Sequence, residues 1–177
     1  MNKIPENTYC HYALQQAKDD VHRVYHDTEY GFPLTNDDQL FGRLVLEINQ
    51  AGLSWTTILN KKENFVRAYS NFEISVVASY GEADVERLLH DAGIIRNKLK
   101  LDAAIHNAQR IQELQREFGS FKSWLDHHKG LSKPEWVKLF KKTFKFTGGE
   151  ITGEFLMSTG YLPGSHHPNC PVYKLLH

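Results

Sequence analysis

Asp91-Ala92-Gly93-Ile94-Ile95-Arg96-Asn97-Lys98 is a tight turn set between two helical patterns. Before it, Gly81 to Leu89 places Val85, Leu88 and Leu89 on one face. After it, Leu101, Ala104, Ile105, Ala108, Ile111 and Leu114 recur at steps of three and four, the period of an amphipathic helix. A short helix, a Gly-bearing turn with a small apolar plug, and a second helix opening on basic residues make a helix-hairpin-helix candidate over residues 84–115. Amides at the start of the second helix can bind a DNA phosphate, helped by the helix dipole. Arg96, Lys98 and Lys100 add charge without reading base sequence. An ordinary αα-hairpin inside a bundle satisfies the same pattern.

Upstream, Asn36-Asp37-Asp38 opens a helix whose apolar residues Leu40, Phe41, Leu44, Val45 and Ile48 keep helical spacing. Gly52 closes it, and Ser54 caps a following helix that carries Trp55, Ile58, Leu59, Phe65 and Val66 to about Tyr69. Glu47 falls at the edge of the apolar stripe, close to where Trp55 emerges after the break. A carboxylate beside a large aromatic at a helix–helix corner suits a flat, electron-poor or cationic ring. A solvated Glu and a core Trp would give the same spacing.

The other elements follow from caps and breakers. Ser75 to Ser79 reads as a short helix capped by Ser75. Ser120 caps a helix bearing Phe121, Trp124 and Leu125. Ser132-Lys133-Pro134-Glu135 is a capping box with an early Pro; its helix turns Trp136, Leu139, Phe140 and Phe144 inward and leaves Lys138, Lys141, Lys142 and Lys145 for solvent or phosphate. A last helix spans Gly148 to Gly160. The first 35 residues read as irregular apart from a short helix near Ala13 to Lys18, with Tyr25 to Pro33 as a loop broken by Gly31 and Pro33. Residues 161–177 read as an irregular tail. No strand pattern is evident, so the expected fold class is all-α, in one domain over 1–177.

Basic and acidic residues balance at 21 each, but unevenly along the chain. Arg96 to Lys145 holds 12 Lys/Arg against five Asp/Glu, the footprint of a face that meets a polyanion. No apolar run reaches the roughly 18 residues of a membrane span, and the first residues carry no apolar signal region. With two cysteines only, the chain has no disulfide framework; the expected setting is the cytoplasm. Cys10, His26, His166 and Cys170 form a possible Cys₂His₂ set for tetrahedral zinc, with His166-x-x-x-Cys170 at chelate spacing. His167 is the rival donor to His166. Four protein ligands leave no open position, so the metal's role would be structural.

Tyr25-His26-Asp27-Thr28-Glu29-Tyr30-Gly31-Phe32-Pro33 and Leu46-Glu47-Ile48-Asn49-Gln50-Ala51-Gly52-Leu53-Ser54-Trp55 closely resemble the 3-methyladenine DNA glycosylase I family. The likeness continues through Thr57 to Phe65, Asp91 to Arg96, Phe144-Lys145-Phe146-Thr147-Gly148, and the closing His166…Cys170. The resemblance implies a helix-hairpin-helix glycosylase fold. It also implies a structural Zn²⁺ on Cys10, His26, His166 and Cys170 that ties the N- and C-terminal segments together. It implies a monomeric, monofunctional enzyme that flips 3-methyladenine from double-stranded DNA and excises it hydrolytically in base excision repair. In that reading Glu47 is the catalytic carboxylate, Tyr25, Tyr30 and Trp55 bind the base, and Ile95, Arg96 and Lys98 contact DNA. No lysine nucleophile stands at the hairpin, so no lyase step is expected. The chain departs from the family's usual pattern at His22, Tyr30, Ile48 and Asn49. The alternative is a zinc-stabilised helix-hairpin-helix DNA-binding protein without glycosylase activity. A third reading, a metal phosphohydrolase built on His26-Asp27, lacks a second set of ligands.

Overall fold

Polar side chains decide where the helices begin. In a computed structural model, which describes residues 3–177, the helices in chain order are α1 (Tyr9–Leu14), α2 (Val21–Thr28), α3 (Asp37–Gln50), α4 (Trp55–Ala68), α5 (Ile74–Val77), α6 (Glu82–Leu89), α7 (Lys98–Phe118), α8 (Phe121–His127), α9 (Lys133–Thr143), α10 (Gly149–Ser158) and α11 (Tyr173–Leu176). Among the described residues there is no strand. Asn36, Ser54, Asn97 and Ser120 each accept a hydrogen bond from the backbone N–H three residues on and cap α3, α4, α7 and α8. Ser132 and Glu135 form the expected capping box at α9.

Contacts divide the chain into two units, one of residues Leu34–Phe155 and one of Met1–Pro33 with Leu156–His177, the division falling within α10. In the larger unit α7 packs against α5, α6 and α8, and α3 against α4, α7 and α8. Leu40, Phe41, Leu44, Ile58, Phe65, Leu101, Ala108 and Ile111 are fully buried there. Burying each large apolar side chain stabilises the fold by about 1.5–3 kcal/mol. A second cluster joins Phe121, Trp124, Trp136, Phe140, Phe144 and Phe155, with successive ring centroids 5.3–6.5 Å apart.

The acids that open α3 serve other helices. Asp37 Oδ2 accepts from Phe121 N at 2.8 Å and from Gln115 Nε2 at 2.8 Å, while Oδ1 accepts from Lys122 N at 3.0 Å. One carboxylate therefore satisfies the first amides of α8 and favours that helix's positive end. Asp38 Oδ1 does the same for α5, accepting from Ile74 N at 3.0 Å. Ser75 is not the cap of α5, as its sequence position had implied; the helix starts at Ile74, with Glu73 at the cap position.

The reading of residues 1–35 as irregular is corrected by α1 and α2. Thr8 caps α1 and Asp20 caps α2, and Tyr25 to Thr28 are the end of a helix instead of a loop. The short helix expected near Ala13 to Lys18 lies earlier, at Tyr9–Leu14. Both helices are short, of six and eight residues, below the window over which apolar periodicity is read; Cys10 and Cys170 pack with Val172 against Leu14 and Phe32 and supply their core. The tail likewise gains α11, where a turn is set by Tyr173 N donating to Cys170 O at 3.1 Å.

A close approach in the larger unit gives a direct test. A Cβ on Gly42, mid-way along α3, would lie 2.6 Å from the ring of Phe72, which the left-handed turn Ser70-Asn71-Phe72 holds in place. Gly42→Ala is expected to destabilise the protein by about 1–3 kcal/mol through overpacking, although Ala is the better helix former. Urea denaturation checks this; an unchanged midpoint would remove the close-packing role.

Candidate functional site

Glu47 lies on α3 with 4% of its surface exposed, in a helix whose residues Leu40 to Asn49 are all buried. A carboxylate withdrawn from water is costly, so burial raises its pKa to about 8. The charge of Glu154 on α10 adds to the rise, and Arg43, one turn earlier on α3, opposes it. Glu47 is thus mostly neutral near pH 7 in the absence of a cation. Arg43 and Glu154 were not singled out from sequence. The signal was present in part, since Arg43 stands four residues before Glu47 in an otherwise apolar stripe.

After α3 the chain turns at Gly52, whose φ of +81° is the left-handed conformation that favours glycine. Leu53 is exposed, Ser54 caps α4, and Trp55 is its first residue and half-buried. The sequence places Lys100 among the DNA-facing cations, but it is buried, and its Nζ donates to Asn49 O at 2.9 Å and Ala51 O at 2.7 Å. It satisfies the last carbonyls of α3, which has no basic residue in its own last turn. The hairpin turn itself packs on α4, where Asn64 Nδ2 donates to Gly93 O at 3.1 Å. Arg96 and Lys98 are exposed and Ile95 is half-buried. Lys98 pairs with Asp102 at 2.7 Å across solvent.

In the smaller unit, α1, α2 and the tail bring Cys10, His26, His166 and Cys170 together. All four are buried, with donor atoms within 4.8 Å of one another, a group that could hold a metal ion. The surrounding hydrogen bonds fix both imidazoles for ligation. His166 Nε2 donates to the Tyr30 carbonyl at 2.6 Å, which leaves the Nδ1 lone pair facing Cys10 Sγ at 3.6 Å and Cys170 Sγ at 3.9 Å. His26 Nδ1 donates to Asp27 Oδ1 at 2.7 Å, leaving Nε2 toward Cys170 Sγ at 3.5 Å. Burial works against the Asp27 carboxylate, but hydrogen bonds from Arg23 and His26 outweigh it and hold its pKa below the usual value. Such outer partners are what metal-binding histidines need. Burial raises the Cys10 thiol to about 11, the backbone N–H of His167 lowers it, and nearby Cys170 raises it further. A cation at the centre would reverse that balance.

His167, the rival donor, is turned away: its Nδ1 accepts from Asn169 N at 3.1 Å. Tyr25 and Tyr30 are buried beside the cluster, with ring centroids 5.6 Å apart and Tyr30 5.6 Å from His166. Tyr9 packs edge-on to Tyr30 and His26, and its hydroxyl lies 3.1 Å from His22 Nδ1. A cavity of about 320 Å³ opens near Pro33, Tyr161, Ser165 and Tyr173, and neither Tyr25 nor Tyr30 lines it.

Residues 15–138 match the methyladenine glycosylase family. The chain belongs to that family. This methyladenine glycosylase is 34% identical over 176 residues to DNA-3-methyladenine glycosylase 1 of Escherichia coli (strain K12), covering 89% of this chain and 94% of that protein. It is 30% identical over 183 residues to the DNA-3-methyladenine glycosylase of Haemophilus influenzae (strain ATCC 51907 / DSM 11121 / KW20 / Rd), with 93% and 97% covered. Its fold is similar to that of 3-methyladenine DNA glycosylase I from Staphylococcus aureus, solved to explain 3-methyladenine recognition. The TM-score is 0.80 at 31% identity, with 88% of this chain and 93% of that one covered.

Two outcomes follow for this methyladenine glycosylase. Cys170→Ser is expected to abolish stoichiometric metal in elemental analysis and to lower the melting temperature, whereas Asp27→Ala weakens metal affinity by about 10–100-fold; metal retained by Cys170→Ser would exclude the four-residue group. Because the native pKa of Glu47 is raised, the native state holds its proton longer than the unfolded chain. Its contribution to stability is full below the unfolded value of 4.5 and is lost as pH rises to about 8. Denaturation curves of wild type and Glu47→Gln should therefore diverge over that window, with wild type losing on the order of a few kcal/mol relative to the variant. Parallel curves would mean that Glu47 titrates normally.

Proposed function

We propose that this protein is a monofunctional 3-methyladenine DNA glycosylase, an N-glycosyl hydrolase of base excision repair. The observation that carries the reading is a buried glutamate, Glu47, in a chain that belongs to the methyladenine glycosylase family. The named relatives act on the same lesion and are covered almost end to end. Residues 1–177 act as one glycosylase domain, cytoplasmic and monomeric, on double-stranded DNA that contains alkylated adenine.

An adenine methylated at N3 is cationic, so its glycosidic bond is weakened before any enzyme acts. The protein must unstack the nucleotide, at a cost of a few kcal/mol, and hold the extruded base by edge and face. Glu47 supplies the edge contact and Trp55 a face. An aromatic face favours the cation over neutral adenine by about 0.5–2 kcal/mol. A Glu47 that is neutral when alone ionises when a cation arrives, so base binding and proton release are linked. A neutral base without the matching donors would leave the buried carboxyl unpaired, which adds discrimination. Water then attacks the sugar as it gains oxocarbenium character. The family resemblance extends base contact to Tyr25 and Tyr30.

The segment 84–115 is read as a helix-hairpin-helix that holds the DNA backbone through Ile95, Arg96 and Lys98. Zinc is the metal that best fits the Cys₂His₂ group. With Zn–S near 2.3 Å and Zn–N near 2.0–2.1 Å, tetrahedral geometry puts sulfur and nitrogen about 3.6 Å apart. The three S···N distances run from 3.5 to 3.9 Å. Such an ion would clip Cys10 to Cys170 and take no part in the chemistry. The alternative of a DNA-binding protein without activity is not favoured, because the relatives are named glycosylases.

The test incubates wild type and Glu47→Gln with DNA that contains 3-methyladenine and measures free base. Wild type should release it, and Glu47→Gln should be slower by about 10-fold or more, the scale of removing one charged hydrogen bond from the transition state. No release by wild type would remove the glycosylase reading; equal release would remove Glu47 from it.

A further inference from the structure

We propose that the exposed face of α9 and the segment after it form a second track for the backbone of duplex DNA, separate from the hairpin. The proposal rests on the glycosylase reading for its ligand. Lys138, Lys141, Lys142 and Lys145 are all exposed, and among the described residues none makes an ion pair. Several helical cations elsewhere are paired about one turn away, Lys98 with Asp102, Lys122 with Asp126, Arg87 with Asp84 and Arg110 with Glu113, whereas those exposed without an ion pair, such as Arg67 and Arg116, do not gather four to one short segment. The one acid of α9, Glu135, is spent on its own cap, accepting from Ser132 N at 2.8 Å.

Left unpaired, the lysines repel one another. Lys138 faces Lys141 and Lys142 at three and four positions, spacings at which like charges destabilise a helix by about 0.2–0.5 kcal/mol per pair. The helix dipole offsets this for Lys141 and Lys142 in the last turn. It does not account for Lys138 or Lys145.

The segment beyond the helix is built to point outward. Asn107 on α7 is fully buried and grips the main chain of Lys145 from both sides, Nδ2 donating to Lys145 O at 3.0 Å and Oδ1 accepting from Lys145 N at 2.8 Å. Phe144 and Thr147 are buried on either side. Between them Phe146 is 39% exposed at a φ of 61°, a conformation that a bulky residue adopts only where the surroundings impose it. A ring and a lysine are thus held toward solvent by a buried clamp.

Asn107 also ties this segment to the hairpin helix. It follows Lys98 by nine residues on α7, about 14 Å of axis at 1.5 Å per residue, or roughly four base pairs of duplex. Exposed point charges near one exposed ring suit phosphates and a sugar edge better than a protein partner, whose interface core is depleted in lysine.

The experiment measures binding to a short undamaged duplex over a range of salt, by fluorescence anisotropy. The variant Lys138→Gln/Lys141→Gln/Lys142→Gln/Lys145→Gln should bind more weakly, with the slope of log Kd against log salt reduced by about 0.9 for each phosphate that is no longer neutralised. Its melting temperature should hold or rise, since repulsion is relieved. If that variant does not fold, Lys141→Gln/Lys142→Gln should reduce the slope by about 2. Lys122→Gln, which removes a paired lysine, is the charge control and should change the slope less. An unchanged slope, or an equal change in the control, overturns the track. Base release by wild type from 3-methyladenine DNA is measured alongside. Release with an unchanged slope sinks the track alone, whereas a reduced slope without release keeps the track and sinks the glycosylase reading.

Discussion

The larger unit depends on keeping one carboxyl group out of water. Glu47 sits in a helix that is buried from Leu40 to Asn49, where a charge is costly unless matched. The fold meets that cost in part with Arg43 and in part by leaving the group neutral near pH 7. Everything around α3 serves to hold this helix still. Asp37 and Asp38 at its start bond to the first amides of α8 and α5, and Lys100 bonds to the carbonyls at its end. Gly42 in its middle lets Phe72 lie against the backbone. A helix fixed at both ends and along its length is the scaffold that a selective carboxyl group requires, because a misplaced donor or acceptor is penalised only when the site cannot relax.

In the smaller unit the corresponding feature is the orientation of two buried imidazoles. Neither α1 nor α2, of six and eight residues, is long enough to be stable alone. Cys10 of α1 and His26 of α2 converge with His166 and Cys170 in a group that could hold a metal ion. The Tyr30 carbonyl and the Asp27 carboxylate each hold one imidazole N–H, so the free nitrogen of each ring faces the cluster. Tyr25 and Tyr30 lie next to and near His26, a member of that group, in sequence. Any shift in this group would carry the two tyrosines with it.

Charge is zeroed over the whole chain but not locally. On α2, α6, α7 and α8 acids and bases are matched about one turn apart. The lysines of α9 gather in one short segment without such partners, and departures from local consistency tend to mark surfaces kept for binding. The hairpin and the α9 surface both belong to Leu34–Phe155 and connect through α7, a single rigid element.

Much of this was legible in the chain itself. Caps at Asn36, Ser54, Asn97, Ser120 and Ser132 and the spacing of apolar residues determined α3, α4 and α6 to α10, because cap chemistry and periodicity are local. Four soft donors of the right types determined which residues could take a metal. Only the tertiary structure decided the rest. It chose His166 over His167, since ring direction depends on a carbonyl 136 residues away. It formed α1, α2 and α11, whose stability comes from distant partners. It turned Lys100 from a phosphate contact into a cap for α3, and set the Glu47 carboxyl against Glu154 and Arg43. Sequence limits which groups a residue can offer; burial and long-range hydrogen bonds decide which of those offers is taken, and in what charge state.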